Sequence, residues 1–88
     1  MKTESTKVVN KLGIHARPAA QIVKTASKFD SDIELTVDGI TVNAKSIMGV
    51  MTLAACRGTE VRVTARGKDE DEAVDALIKL LESGFGED

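Results

Sequence analysis

Ile33-Glu34-Leu35-Thr36-Val37-Asp38-Gly39-Ile40-Thr41-Val42 is the stretch on which the fold turns. Ile33, Leu35 and Val37 alternate with Asp32, Glu34 and Thr36, the period of a strand with one buried face. The two-residue Asp38-Gly39 loop favours a tight hairpin that sets Val37 opposite Ile40 and Leu35 opposite Val42, which puts both apolar sets on one face. Upstream, a strand is expected over roughly Ser5 to Asn10, with β-branched Thr6, Val8 and Val9, and Gly13 interrupts it. A helix follows from near Ala16 to near Asp30, carrying Ala19, Ile22, Val23 and Ala26 at helical spacing, with Phe29 closing the stripe. Downstream comes a short apolar helix, Ile47 to Leu53, with Ser46 as N-cap and Gly58 in the turn after it. Val61, Val63 and Ala65 then alternate with Arg62, Thr64 and Arg66 as a fourth strand, broken at Gly67. The last helix has Asp69 as expected N-cap, Glu72 three residues on, Lys79 near its end and a stripe of Ala73, Ala76, Leu77, Leu80 and Leu81; Gly84 can stop it. The order βαββαβα reads as an α+β fold: one four-stranded antiparallel sheet with helices on one face, residues 1–88 forming a single domain. This pattern leaves the spatial order of the strands open.

Composition narrows the function classes. Twelve basic and 14 acidic residues give a net charge of −2, and the aromatics are Phe29 and Phe85, so neither a phosphate-tracking surface nor a base-stacking platform is evident. Nucleic acid is not an expected partner. No run reaches the roughly 18 apolar residues of a membrane span, and Met1 to Lys7 is polar with no apolar signal region behind it, so a cytoplasmic protein without membrane insertion is expected. One cysteine, Cys56, and one histidine, His15, are too few soft ligands for a structural zinc site; no metal and no cofactor are expected.

Gly13-Ile14-His15-Ala16-Arg17-Pro18 carries the chemistry. Proline in a first helical turn occupies a place where backbone N–H groups lack partners anyway, which pins the helix start close to His15. Unpaired amides, that of Ala16 among them, and the positive dipole end make such a terminus an anion site, and Arg17 adds a planar, always-charged fork. The same positive end disfavours imidazolium, so a neutral, nucleophilic His15 is expected near pH 7. No second general base accompanies His15 in the motif, which argues against a hydrolase. These features leave the anion unnamed.

The segment Ile47 to Cys56 has more apolar side chains than one buried face can use. Val50 and Leu53 suit the core, leaving Met48, Met51 and part of Ile47 outward, where flexible methionines suit a docking patch. Cys56 reads as a buried or half-buried filler, and Lys24, Lys28 and Lys45 as solvated charges able to steer an acidic partner.

At Gly13-Ile14-His15-Ala16-Arg17-Pro18-Ala19 and Lys45-Ser46-Ile47-Met48-Gly49-Val50-Met51 the chain resembles the histidine-containing phosphocarrier (HPr) family of the bacterial phosphoenolpyruvate-dependent phosphotransferase system, over nearly its whole length. The resemblance implies an open-faced β-sandwich with the first and fourth strands adjacent. It implies a phosphoryl carrier, not a stand-alone enzyme: His15 takes the phosphoryl group on Nδ1 from enzyme I and gives it to an enzyme IIA domain, while Arg17 and the helix terminus steady the phosphate. It further implies docking through Ile47, Met48 and Met51 with Ala20 bordering them, and a regulatory phosphorylation of Ser46 by HPr kinase/phosphorylase in cells that have it. A monomer is expected. Ala54 stands where many members of the family have glycine. The ending Ser83-Gly84-Phe85-Gly86-Glu87-Asp88 resembles the nitrogen-regulatory branch, whereas the Ser46 region resembles the sugar branch or its kinase-regulated form. A mainly regulatory phosphoprotein of carbon or nitrogen signalling, or a non-phosphorylated interaction module on the same fold, are the rival readings.

Overall fold

The Asp38-Gly39 turn closes in the register that the alternation requires: Val37 pairs with Ile40 and Leu35 with Val42. Both turn residues take positive φ, 51° and 81°, the combination a type I′ hairpin needs. The computed structural model describes residues 1–87 and orders them as β1 (Lys2–Lys7), α1 (Ala16–Ala26), β2 (Asp32–Val37), β3 (Ile40–Asn43), α2 (Ile47–Thr52), β4 (Glu60–Arg66) and α3 (Glu70–Glu82), followed by one 3₁₀ turn, Gly84–Gly86. The strands form a single antiparallel sheet in the order β1-β4-β2-β3, so the first and fourth are neighbours as the resemblance implies.

Ile33, Leu35, Val61, Val63 and Ala65 project from one face of the sheet and are buried with Ala19, Ile22 and Ala26 of α1, Val50 of α2 and Ala73, Val74, Leu77 and Leu81 of α3. The opposite face is polar: Thr36 and Thr41 hydroxyls meet at 2.8 Å and Arg66 pairs with Glu34 at 3.3 Å. One face wet and one face dry is the open-faced sandwich. Ile40, on the edge strand β3 next to the hairpin turn, stays 53% exposed although it shares the apolar face.

Several boundaries differ from the sequence reading. The first strand is Lys2–Lys7, not Ser5 to Asn10. Its residues opposite Ala65, Val63 and Val61 are Lys2, Glu4 and Thr6, so this edge strand is polar on both sides and has no alternation to read. Val8 lies beyond the ladder, buried and held to Thr59 and Gly58 by two backbone hydrogen bonds of 3.0 and 2.8 Å. Helix α1 ends at Ala26 instead of near Asp30; the amides of Lys28 and Phe29 reach back only three residues, to Thr25 and Ala26, as the last turn tightens. Leu53 is the C-cap of α2 and not its last residue.

Asp69 occupies the N-cap position of α3, but its side chain makes no bond to that helix. Its carboxylate instead accepts from the amides of Asp30 and Ser31, each at 2.9 Å, and from the Ser31 hydroxyl. The amide of Gly67 donates to Glu70 Oε1 at 3.1 Å, so neither Asp69 nor Glu72 forms the capping box that the spacing suggests.

Candidate functional site

Gly13, Ile14 and His15 lead into α1 through a loop whose geometry the chain fixes tightly. Ile14 donates to Ala55 O at 2.9 Å, and the amide of His15 turns back onto Gly13 O at 3.1 Å. Gly13 has φ +68°, and a Cβ there would overlap the Ala55 carbonyl oxygen. Glycine is therefore what lets this loop lie against the exit of α2. Asn10, fully buried, donates from Nδ2 to Gly13 O at 2.7 Å and closes the loop from inside.

His15 is the N-cap residue of α1, with extended backbone and no side-chain cap bond. Its carbonyl accepts from Ala19 at 2.9 Å, which starts the helix in register. Ala16 and Arg17 open the turn, both exposed, where no helical carbonyl precedes them to accept, and buried Pro18 has no N–H to satisfy. As the N-cap residue, His15 stands at the positive end of α1, and its side chain is 35% exposed.

The imidazole is engaged on one side. Nε2 lies 3.1 Å from both carboxylate oxygens of Glu87. Asn10 Nδ2 donates to the same carboxylate, at 3.0 Å from Oε1, and these bonds, with His15 first, hold the Glu87 carboxyl below its usual range. Glu87 was not among the residues singled out from the sequence, and no spacing rule would have found it: it lies 72 residues from His15. It arrives there because Gly84–Gly86 folds the chain back over α1, with Phe85 buried and its carbonyl accepting from Gln21 Nε2 at 3.2 Å. Lys11, Leu12, Arg17, Gly86 and Glu87 line one shallow concavity beside the ring.

Helix α2 packs against α1 and carries the second group of expected residues. Val50 and Leu53 are buried, while Ile47, Met48 and Met51 are 40%, 75% and 46% exposed. Ala20 is exposed on α1. Ser46 caps α2, its Oγ accepting from the Gly49 amide at 3.2 Å. Leu12, 74% exposed in the loop before His15, is a further outward apolar side chain that the sequence reading passed over. Two other expectations change. Lys45 is tied down, its Nζ donating to Phe29 O at 2.7 Å, and Cys56 is exposed instead of filling the core. Among the described residues no group of three or more His, Cys, Asp or Glu is placed to share a metal ion, and no helix is long and apolar enough to cross a membrane.

A family model described as the PTS HPr component phosphorylation site matches residues 2–83, which includes His15, Arg17 and Ser46. The chain belongs to the HPr family. It is similar to the phosphocarrier protein HPr of Xylella fastidiosa strain Temecula1, with 56% identity over 81 residues, 92% of this chain and 91% of that protein. It is 49% identical to the HPr of Treponema pallidum with both chains covered completely. The crystal structure of HPr from Thermoanaerobacter tengcongensis superposes with a TM-score of 0.95 at 52% identity, covering 100% of this chain and 99% of that one. Membership makes the chain a phosphoryl carrier of the phosphotransferase system, not a stand-alone enzyme, and its partners are proteins of that system.

Proposed function

We propose that His15 is the phosphoryl acceptor of this HPr-family carrier, taking the group on Nδ1 from enzyme I and delivering it to an enzyme IIA domain. The observation that carries the reading is the division of labour around the ring: Nε2 faces Glu87, which makes Nδ1 the nitrogen left for the incoming phosphorus. Ala16 and Arg17, exposed residues in the first turn of α1, supply backbone amides for phosphate oxygens, and the Arg17 guanidinium adds a positive charge. A carrier must hold its phosphoryl group against water and surrender it to a partner, and the Glu87 carboxylate is bonded to Nε2, the ring nitrogen away from the phosphoryl group.

Ile47, Met48, Met51 and Ala20 form the docking surface in this reading, with Leu12 extending it across the histidine loop. Phosphorylation of Ser46 by an HPr kinase/phosphorylase would replace a neutral cap with about two negative charges beside that surface, repelling acidic partners without refolding the chain. This reading includes a cytoplasmic location, where phosphoenolpyruvate is available.

The test is labelling. Incubated with phosphoenolpyruvate and enzyme I, the wild type takes up one phosphoryl group that is labile to acid and stable to alkali; His15→Ala takes up none. Adding an enzyme IIA domain then moves the label off the carrier. Absence of label on the wild type, or equal labelling of His15→Ala, overturns the reading; label that enzyme IIA cannot remove favours a mainly regulatory phosphoprotein.

A further inference from the structure

The 3₁₀ turn Gly84–Gly86 is built around a strained residue. Phe85 is buried, yet it holds φ +60°, a conformation that costs a non-glycine residue about 1 kcal/mol or more. Glu87 N donates to Gly84 O at 3.0 Å and Phe85 N to Ser83 Oγ at 3.3 Å, so the turn is closed on itself, and Gln21 of α1 holds it from below. The product of this arrangement is one carboxylate set against one ring nitrogen. Residue 87 lies outside the span 2–83 that the family model matches.

We infer that Glu87 is a positioning residue for phosphoryl transfer: clamped by Asn10, its carboxylate accepts the Nε2 proton of His15 in a hydrogen bond and so keeps the lone pair on Nδ1. A carboxylate is an acceptor only, so it selects the ring tautomer protonated on Nε2. Both carboxylate oxygens lie 3.1 Å from Nε2, and Asn10, buried and bonded also to Gly13 O, prevents the carboxylate from swinging away. In the transfer, the Nδ1 lone pair forms the new bond to phosphorus while the bond from phosphorus to the donor breaks and its electron pair returns to the donor. No proton moves: the ring becomes cationic with its proton still on Nε2, facing the negative charge of Glu87. The return step reverses the same bonds. A carboxylate behind a histidine plays this orienting part in metal sites and catalytic triads, where its loss costs about tenfold or more.

The inference rests on His15 being the acceptor, and the experiment separates the two claims. Full-length wild type, Glu87→Ala, Glu87→Gln and His15→Ala proteins are compared by rate of labelling from phosphoenolpyruvate and enzyme I, and by ¹⁵N chemical shifts of the unphosphorylated His15 ring. The wild type is expected to show the proton on Nε2. Glu87→Ala is expected to shift towards a mixture of tautomers and to be labelled about tenfold more slowly at saturating carrier, with the KM of enzyme I for the carrier unchanged. Glu87→Gln, which keeps the shape and loses the charge, is expected to remain slow. A labelled wild type whose rate or tautomer is unaltered in Glu87→Ala overturns the role of Glu87 alone; a wild type that takes no label, or a His15→Ala protein that does, overturns the acceptor assignment and this inference with it.

Discussion

Asp69 and Ser31 are joined twice: the Asp69 carboxylate accepts from the Ser31 amide at 2.9 Å and again from the Ser31 hydroxyl. Together with the Asp30 amide, these bonds lower the Asp69 carboxyl from an ordinary 3.8 to about 2, the Ser31 side chain being the largest cause. A carboxyl that is more acidic folded than unfolded adds stability that is complete above its unfolded value and lost as pH falls through its folded one. The thermal midpoint of the wild type is therefore expected to drop between about pH 4 and pH 2. Asp69→Asn is expected to start lower and to lose less over that window. A variant whose acid profile parallels the wild type would show that the clasp contributes nothing.

Ala54 holds φ +49° in the exit from α2, a left-handed conformation that a side chain resists. Ala54→Gly is expected to raise stability by about 1 kcal/mol, the relief of that strain exceeding the added freedom of the unfolded chain. Chemical denaturation measures this directly. A loss of stability would mean that the Ala54 methyl contributes more than its backbone costs.

Gly13→Ala is the converse case. The added methyl meets the Ala55 carbonyl oxygen and lies 3.0 Å from Cys56 Cα, on a backbone with φ +68°. Destabilisation by about 2 kcal/mol is expected, together with slower labelling of His15, because the loop that aims the ring must move.

Met48→Ala and Met51→Ala remove side chains that are 75% and 46% exposed, so stability should change little. If they dock partners, the double variant is expected to raise KM for enzyme I by about fivefold while leaving the maximal labelling rate intact. Ser46→Ala loses the bond to the Gly49 amide and is expected to cost about 1 kcal/mol of stability with normal phosphoryl acceptance. Ser46→Asp is expected to accept phosphate more slowly at low salt and to recover partly as salt screens the charge.

The hairpin register, the short helix and the position of His15 at a helix mouth were all legible in the chain, because each follows from a local rule: alternation across an Asp-Gly turn, a serine cap, proline in a first turn. Lys2–Lys7 was not, since an edge strand with Lys2, Glu4 and Thr6 towards the helices carries no hydrophobic period. Asp69 was placed correctly but misread, because the donors that claim it sit 38 and 39 residues away. The same blindness to long-range polar pairing hid Glu87 from His15 and made Lys45 look free. Cys56 failed for a different reason: a lone small residue in an irregular loop gives no periodicity from which its exposure follows. What sequence rules capture is order along the chain, and what they omit is the hydrogen bond that closes across it.

His15 receives phosphorus, in this mechanism, on the nitrogen opposite Glu87. Nuclear magnetic resonance of ¹⁵N-histidine-labelled protein, phosphorylated by enzyme I and observed at phosphorus and nitrogen, tests it most directly. Phosphorus coupled to Nδ1 of His15 is the expected result; phosphorus on Nε2, or on any other residue, rules this mechanism out.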